Sequence, residues 1–302
     1  MLKTRLWMGA VLVALTIGML VGDQHLAPWF PFLFVFQFSL SLIACHELVN
    51  LLGPQRVPQK AVCYLGVAVL VLANWLVHSS YLSLSTSLPG GAGGEWSHAS
   101  FWPFLMGILA GFLLLIFLYE MATFAAPGRS VERMALTWLI IGYLGFLPCF
   151  FAQTRWIADD HQANSVRLAL AVFVPKCCDI GAYTAGRLFG RHKMTPVLSP
   201  KKTWEGALGG LVTAALVAIG IDRFGPAAVL QKDLRWEVGF GLSVGLAGML
   251  GDLAESLLKR DCQTKDASAA VPGFGGVLDV VDAILFAAPI SYFWFILLPR
   301  AV

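Results

Sequence analysis

Nine apolar runs, each close to the length of a bilayer crossing, constrain this chain more than any other feature. They lie near residues 5–22, 30–52, 61–80, 101–125, 134–153, 166–187, 205–222, 238–258 and 274–298. A helix needs about 20 such residues to cross the hydrocarbon core. The expected fold is therefore all-α, a polytopic membrane protein of about nine transmembrane helices. Charge points the same way. Only 13% of the 302 residues are charged and 58% are hydrophobic, whereas a soluble domain carries about 25% charged residues. Too little polar surface remains to coat a water-soluble globule. The net charge of +3 is small and its basic residues are scattered over short loops, which argues against nucleic acid as a partner. The six cysteines lack metal-ligand spacing and read as small buried residues.

The first run starts with Lys3 and Arg5, as a signal peptide would. It lacks a small-x-small cleavage site and is followed by further runs, so it reads as a retained anchor. Lysine and arginine set the orientation. With the N-terminus cytoplasmic, the inner loops take Lys3, Arg5, Arg56, Lys60, Arg129 and Arg133, then Arg187 to Lys202, then Lys259, Arg260 and Lys265. The opposite side takes only Arg155, Arg167, Arg223, Lys232, Arg235 and Arg300. This bias predicts a cytoplasmic N-terminus.

Chemistry divides the chain. Residues 1–165 read as a scaffold of apolar helices, offering lipid access or oligomer contacts, with a Gly/Ser/Pro-rich outer loop from Ser83 to Ser100. Residues 166–302 hold nearly every unusual polar residue and read as the catalytic region. The halves show no inverted repeat, which weighs against a secondary transporter. In the first half only His46-Glu47 stands out, and buried pairing is its default reading. Asp159, Asp160 and His161 read as solvated loop residues.

Ionisable groups within a span cost several kcal/mol and face a polar cavity or a partner. Asp252, Glu255 and Lys259 are spaced i, i+3, i+7 and share one helix face. Asp279 and Asp282 share a face of the next span. If those two spans pack together, their carboxylates meet and repel unless a cation binds, and hard oxygen ligands suit Mg²⁺. The loop Ser199-Pro200-Lys201-Lys202-Thr203-Trp204-Glu205-Gly206 has the opposite character. Its hydroxyls and ammonium groups at a helix N-terminus form a phosphate site. Gly206, Gly209 and Gly210 allow close helix approach, and Gly273, Gly275 and Gly276 allow backbone N–H groups to reach a ligand. A carboxylate-bound metal beside a lysine-rich phosphate site is equipment for transfer between phosphates.

At these residues the sequence resembles the phosphatidate cytidylyltransferases, the CDP-diacylglycerol synthases. Ser256, Lys259, Arg260, Lys265, Asp266, Pro272, Gly273, Gly275, Gly276, Asp279 and Asp282 fall on the family's C-terminal signature at matching spacing. The loop Ser199 to Gly206 resembles the family's S-P-K-K-T-W-E-G motif throughout, and the segment from Asp179 to Lys193 resembles the one before it. The match covers about residues 170–290. The resemblance implies an enzyme that joins CTP to phosphatidic acid, releasing pyrophosphate. It implies Mg²⁺, with room for a second cation, on Asp252, Asp279 and Asp282. CTP would be held by Asp179, Ser199, Lys201, Lys202, Thr203, Glu205, Gly275 and Gly276. Glu255, Lys259, Arg260, Lys265 and Asp266 complete the catalytic set, with Lys259, Arg260 and Lys265 directed to the lipid phosphate or pyrophosphate. It further implies a bacterial inner membrane location, a cytoplasm-facing site, phosphatidic acid drawn from the cytoplasmic leaflet, contact with membrane lipids, and a homodimer.

Three positions depart from the pattern. Phe274 stands where the family has His, Val280 where it has Arg, and Ala283 where it has a small hydroxyl residue. Phe274 and Val280 supply neither charge nor donor, so a silent or acceptor-altered homologue is the alternative. A CTP-dependent lipid or polyprenol kinase, releasing CDP, is the other enzymatic alternative.

Overall fold

The computed structural model describes residues 2–27, 29–53, 56–78, 98–264, 267–268, 270–271 and 275–298. Ten helices run in chain order: α1 (Leu2–Asp23), α2 (Pro31–Leu51), α3 (Lys60–His78), α4 (His98–Thr123), α5 (Ser130–Ile140), α6 (Leu147–Gln153), α7 (His161–Phe189), α8 (Trp204–Phe224), α9 (Leu234–Asp261) and α10 (Val277–Leu297). A π-helical turn, Ile141–Phe146, joins α5 to α6. That composite forms one span, Ser130–Trp156. Among the described residues nine helical segments are then long and apolar enough to cross a membrane. This is the polytopic all-α architecture that the apolar runs predict. Most of the outer loop Ser83–Ser100 lies outside the described residues.

Among the described residues, one two-stranded ribbon stands apart from the helices. Lys193–Thr195 (β1) pairs antiparallel with Ser199–Thr203 (β2), Lys193 opposite Thr203 and Thr195 opposite Ser199. Pro196 and Pro200 keep this stretch out of a helix, and Pro200 sits where a two-stranded ribbon tolerates it, on an edge. The ribbon leads directly into α8, whose N-cap is Thr203: its hydroxyl accepts the Gly206 N–H at 3.1 Å.

The contacts group the chain into two compact units, residues 1–24 with 150–302, and residues 25–149. By this grouping α1 joins the C-terminal helices. In the first unit α8 packs on both α7 and α9, α7 also meets α9 directly, and α9 packs on α10. Small residues set these distances. A Cβ on Gly210 would stand 2.8 Å from the Cys178 carbonyl oxygen, and one on Gly251 would stand 3.1 Å from Ala283 Cα. Either would push two helices apart. At the far end, Asp222 of α8 accepts the N–H groups of Val229, Leu230 and Lys232 at 2.6, 2.7 and 2.9 Å. Arg223 forks onto the buried Glu237 of α9. The α8–α9 turn is therefore fixed by side chains on both of its helices. Asp160, read from sequence as a loop residue, caps α7 by accepting from Gln162 and Ala163.

In the second unit α3, α4 and the Ser130–Trp156 span enclose an apolar cluster that includes Leu70, Phe101, Leu105, Ile116 and Ile141. A polar network lies against it. Gln59 donates to Glu120 at 2.9 Å, and Arg133 donates to the other Glu120 oxygen at 2.5 Å. The Thr137 hydroxyl accepts the Gln59 N–H at 2.9 Å. His46 and Asn50 of α2 form a chain with Tyr64 of α3, each link 2.9 Å, while Glu47 is buried.

Candidate active site

The carboxylates of α9 and α10 meet within the first unit, on the side where α7 and α9 end and α8 and α10 begin. Close packing at Gly251 brings Asp252 and Asp282 together. Asp252, Glu255 and Asp282 each offer an oxygen, and these oxygens all lie within 4.8 Å of one another. At that separation two unit charges repel by roughly 3 kcal/mol at an effective dielectric constant near 20, so three carboxylates need cations around them. Glu255 is 1% exposed. Its Oε2 accepts from Lys259 at 2.5 Å, while its Oε1 is buried with no hydrogen-bond partner. A buried carboxylate oxygen left open beside two further carboxylates is the donor set that a hard divalent cation takes.

Among the described residues three lysines border the cluster. Lys202, from β2, stands 2.7 Å from Asp252 Oδ2. Lys259 bridges Glu255 and, at 2.6 Å, Asp279 Oδ1. Lys176 of α7 stands 3.1 Å from Asp282 Oδ1 and 3.9 Å from Asp179 Oδ2. The two lysine sources differ in kind. Lys176 and Lys259 belong to helices inside the bundle, whereas Lys202 belongs to the ribbon that carries the phosphate-type motif.

Asp279, expected among the metal ligands, meets hydrogen-bond donors on both oxygens. Its Oδ2 accepts the Gly276 N–H at 2.7 Å and the Ala267 N–H at 3.2 Å, and its Oδ1 is taken by Lys259. It therefore caps α10 and anchors the preceding loop. Glu255, expected as a catalytic residue, lies with Asp252 and Asp282. Helical spacing alone could not separate these roles, because the assignment depends on which residue the lysine reaches across to α10.

The ribbon is held shut by Glu205. Its carboxylate accepts the N–H groups of Arg191 and His192 at 3.1 and 3.2 Å, and meets His192 Nδ1 at 2.6 Å. This makes Glu205 a brace for the loop. Ser199 and the exposed Lys201 sit along β2, and Lys202 turns toward α9. Arg260 reaches the Leu198 carbonyl at 3.4 Å and the Thr264 carbonyl at 3.2 Å, tying the ribbon's turn to the end of α9. Ser256 Oγ lies 3.5 Å from Asp252 Oδ1. Gly275 has φ +106°, which only glycine adopts readily, and exchanges two backbone hydrogen bonds with Val271. Gly276 then serves as the α10 N-cap. Lys265, Asp266 and Phe274 lie outside the described residues. Val280 is half-buried, and Ala283 is buried in the α9–α10 contact.

Lys176 is the participant that motif reading missed. Its signal was present: a lone ammonium within an apolar run, three residues before an aspartate.

The sequence profile of the cytidylyltransferase family matches residues 3–298. The chain belongs to that family. Among its relatives, a phosphatidate cytidylyltransferase of Haemophilus influenzae is 40% identical over 174 residues, covering 55% of this chain and 60% of that protein. One of Staphylococcus epidermidis is 31% identical over 264 residues, covering 85% of this chain and 87% of the relative. One of Synechocystis is 34% identical over 225 residues, 66% of this chain and 71% of the relative. Membership extends the likeness beyond residues 170–290, to the apolar helices where no motif was visible.

Proposed function

We propose that this cytidylyltransferase takes CTP and phosphatidic acid to CDP-diacylglycerol and pyrophosphate, for phospholipid synthesis. The observation that carries this reading is the convergence of Asp252, Glu255 and Asp282 beside Lys202 of the S-P-K-K-T-W-E-G loop. A phosphate oxygen of the lipid attacks the α-phosphorus of CTP. The bond from that phosphorus to the bridging oxygen breaks, and pyrophosphate leaves with the bonding pair. The lipid phosphate is itself a competent nucleophile, so the protein's tasks are alignment and charge neutralisation.

Asp252, Glu255 and Asp282 would hold Mg²⁺, which when bound neutralises charge on the nucleotide phosphates and the leaving pyrophosphate. Lys201, Lys202 and Ser199 line the ribbon that receives the triphosphate, with Thr203 and Glu205 fixing the ribbon against α8. Lys259 holds Glu255 and Asp279 in place, and Arg260 and Lys265 are assigned to the lipid phosphate or pyrophosphate. The proposal places this site at the cytoplasmic face of a bacterial inner membrane, since CTP is a cytosolic solute and the acceptor arrives in the adjacent leaflet.

The test is product formation by purified protein in detergent, supplied with Mg²⁺, labelled CTP and phosphatidic acid. CDP-diacylglycerol with an equal yield of pyrophosphate is expected. CDP in place of pyrophosphate would identify a kinase. Bound CTP without any product would mean that Phe274 and Val280 have silenced the chain or changed its acceptor.

A further inference from the structure

Lys176 has no place in the nucleotide loop or the C-terminal signature, yet it lies at the centre of the charge network. It follows Pro175 within α7, where Gly248 of α9 leaves room: a Cβ on Gly248 would stand 2.6 Å from Pro175 Cβ. That close approach sets the Lys176 ammonium against α10, 3.1 Å from Asp282 and 3.9 Å from Asp179. Asp282 is also one of the three converging carboxylates. Lys176 therefore touches the carboxylate cluster through Asp282, whereas Lys202 and Lys259 engage Asp252 and Glu255.

The charge balance gives this contact meaning. Asp179, Asp252, Glu255, Asp279 and Asp282 are five carboxylates, and Lys176, Lys202 and Lys259 are three ammonium groups. Among the described residues the carboxylates thus exceed the ammonium groups by two, a surplus that one divalent ion would offset with all of them ionised. Without Lys176 the surplus would be three, and Asp179 and Asp282 would both lose their ammonium partner.

We propose that Lys176 is a positioning residue that acts as a tethered cation, orienting Asp282 and filling the place of a second ion, so that the site takes a single divalent metal. The inference rests on the metal reading given above. It changes what that reading requires: the second positive charge of the site is built into α7 and does not exchange with solvent. A neighbouring ammonium also fixes which Asp282 oxygen faces the metal, because Oδ1 is engaged by Lys176 and by the Ala283 N–H at 2.7 Å.

Equilibrium Mn²⁺ binding, followed by the electron paramagnetic resonance signal of the free ion, tests this on the full chain in detergent without nucleotide. The buffer is free of Na⁺ and K⁺. Wild type is expected to bind one Mn²⁺, and Lys176→Arg also one. Lys176→Met is expected either to bind a second Mn²⁺, with its Mg²⁺ activation steepening from first toward second order, or to acquire a requirement for added Na⁺ or K⁺. Two Mn²⁺ ions in wild type would overturn the proposal even if Lys176→Met failed to fold. So would a folded Lys176→Met with one Mn²⁺, unchanged affinity and no new cation requirement. Wild type that binds no Mn²⁺ would instead sink the underlying metal reading, and the inference with it.

Discussion

Each unit buries a carboxylate among hydrogen-bond donors, and the two arrangements differ in one respect. In residues 25–149, Glu120 meets one guanidinium and one amide, and both of its oxygens are satisfied. In the other unit the carboxylates outnumber the lysines and Glu255 keeps one oxygen open. A closed pair of this kind is a packing device that contributes little net stability but is costly to break. An open surplus is unstable unless something positive arrives. The difference separates a fastening from a binding site.

Removing a carboxylate should therefore have opposite consequences in the two places. Asp282→Asn is expected to lower turnover by more than about 100-fold, the upper range for disturbed metal sites, and to abolish Mn²⁺ binding while the protein stays folded by circular dichroism. Asp279→Asn should lose about tenfold in turnover but retain Mn²⁺, because its loss frees the α10 cap and Lys259 rather than a ligand. The cap itself is worth about 1 kcal/mol, visible as a lower melting midpoint. If Asp279→Asn lost Mn²⁺ and Glu255→Gln kept it, the ligand set would be the one the family resemblance implies. Glu120→Gln should leave kcat and Mn²⁺ binding unchanged at low temperature. Its cost is about 1–3 kcal/mol of stability, toward the lower end because Arg133 is 36% exposed on its side chain. Activity loss without a melting shift would break the contrast between the units. The smallest effect belongs to His192→Ala. That side chain is 78% exposed, and its contact with Glu205 is of the surface class. KM for CTP should rise by no more than about fivefold.

Much of this organisation was legible in the sequence, for stated reasons. Lipid imposes a length and a composition on every crossing, so nine spans could be counted before any contact was known. Spacing on α9 predicted that Asp252, Glu255 and Lys259 share a face, and the Lys259–Glu255 pair follows from it. What spacing cannot carry is the partner across an interface. The bridge from Glu255 to Asp279 depends on Lys259 reaching α10, and the importance of Lys176 depends on Gly248 admitting α7. The ribbon was also hidden. Its strands are only three and five residues long, too short for alternation to register, and its brace, Glu205, reads locally as an ordinary residue of a helix's first turn.

The π turn at Ile141–Phe146 has a consequence for how this span tolerates changes in length. A π turn holds one residue more than the α-helix around it needs. Deleting a single residue there would restore regular winding while the residues after it keep their facing. Cys149, which bonds the Gly145 carbonyl and meets Asn74, and Pro148, whose carbonyl accepts from Gln37, would stay with those partners. The same deletion in the apolar middle of α4 would find no surplus residue to absorb it and would turn the rest of that helix by about 100°. Within the Ser130–Trp156 span, the stretch from Ile141 to Phe146 is accordingly the place where the chain can lose a residue and keep its register.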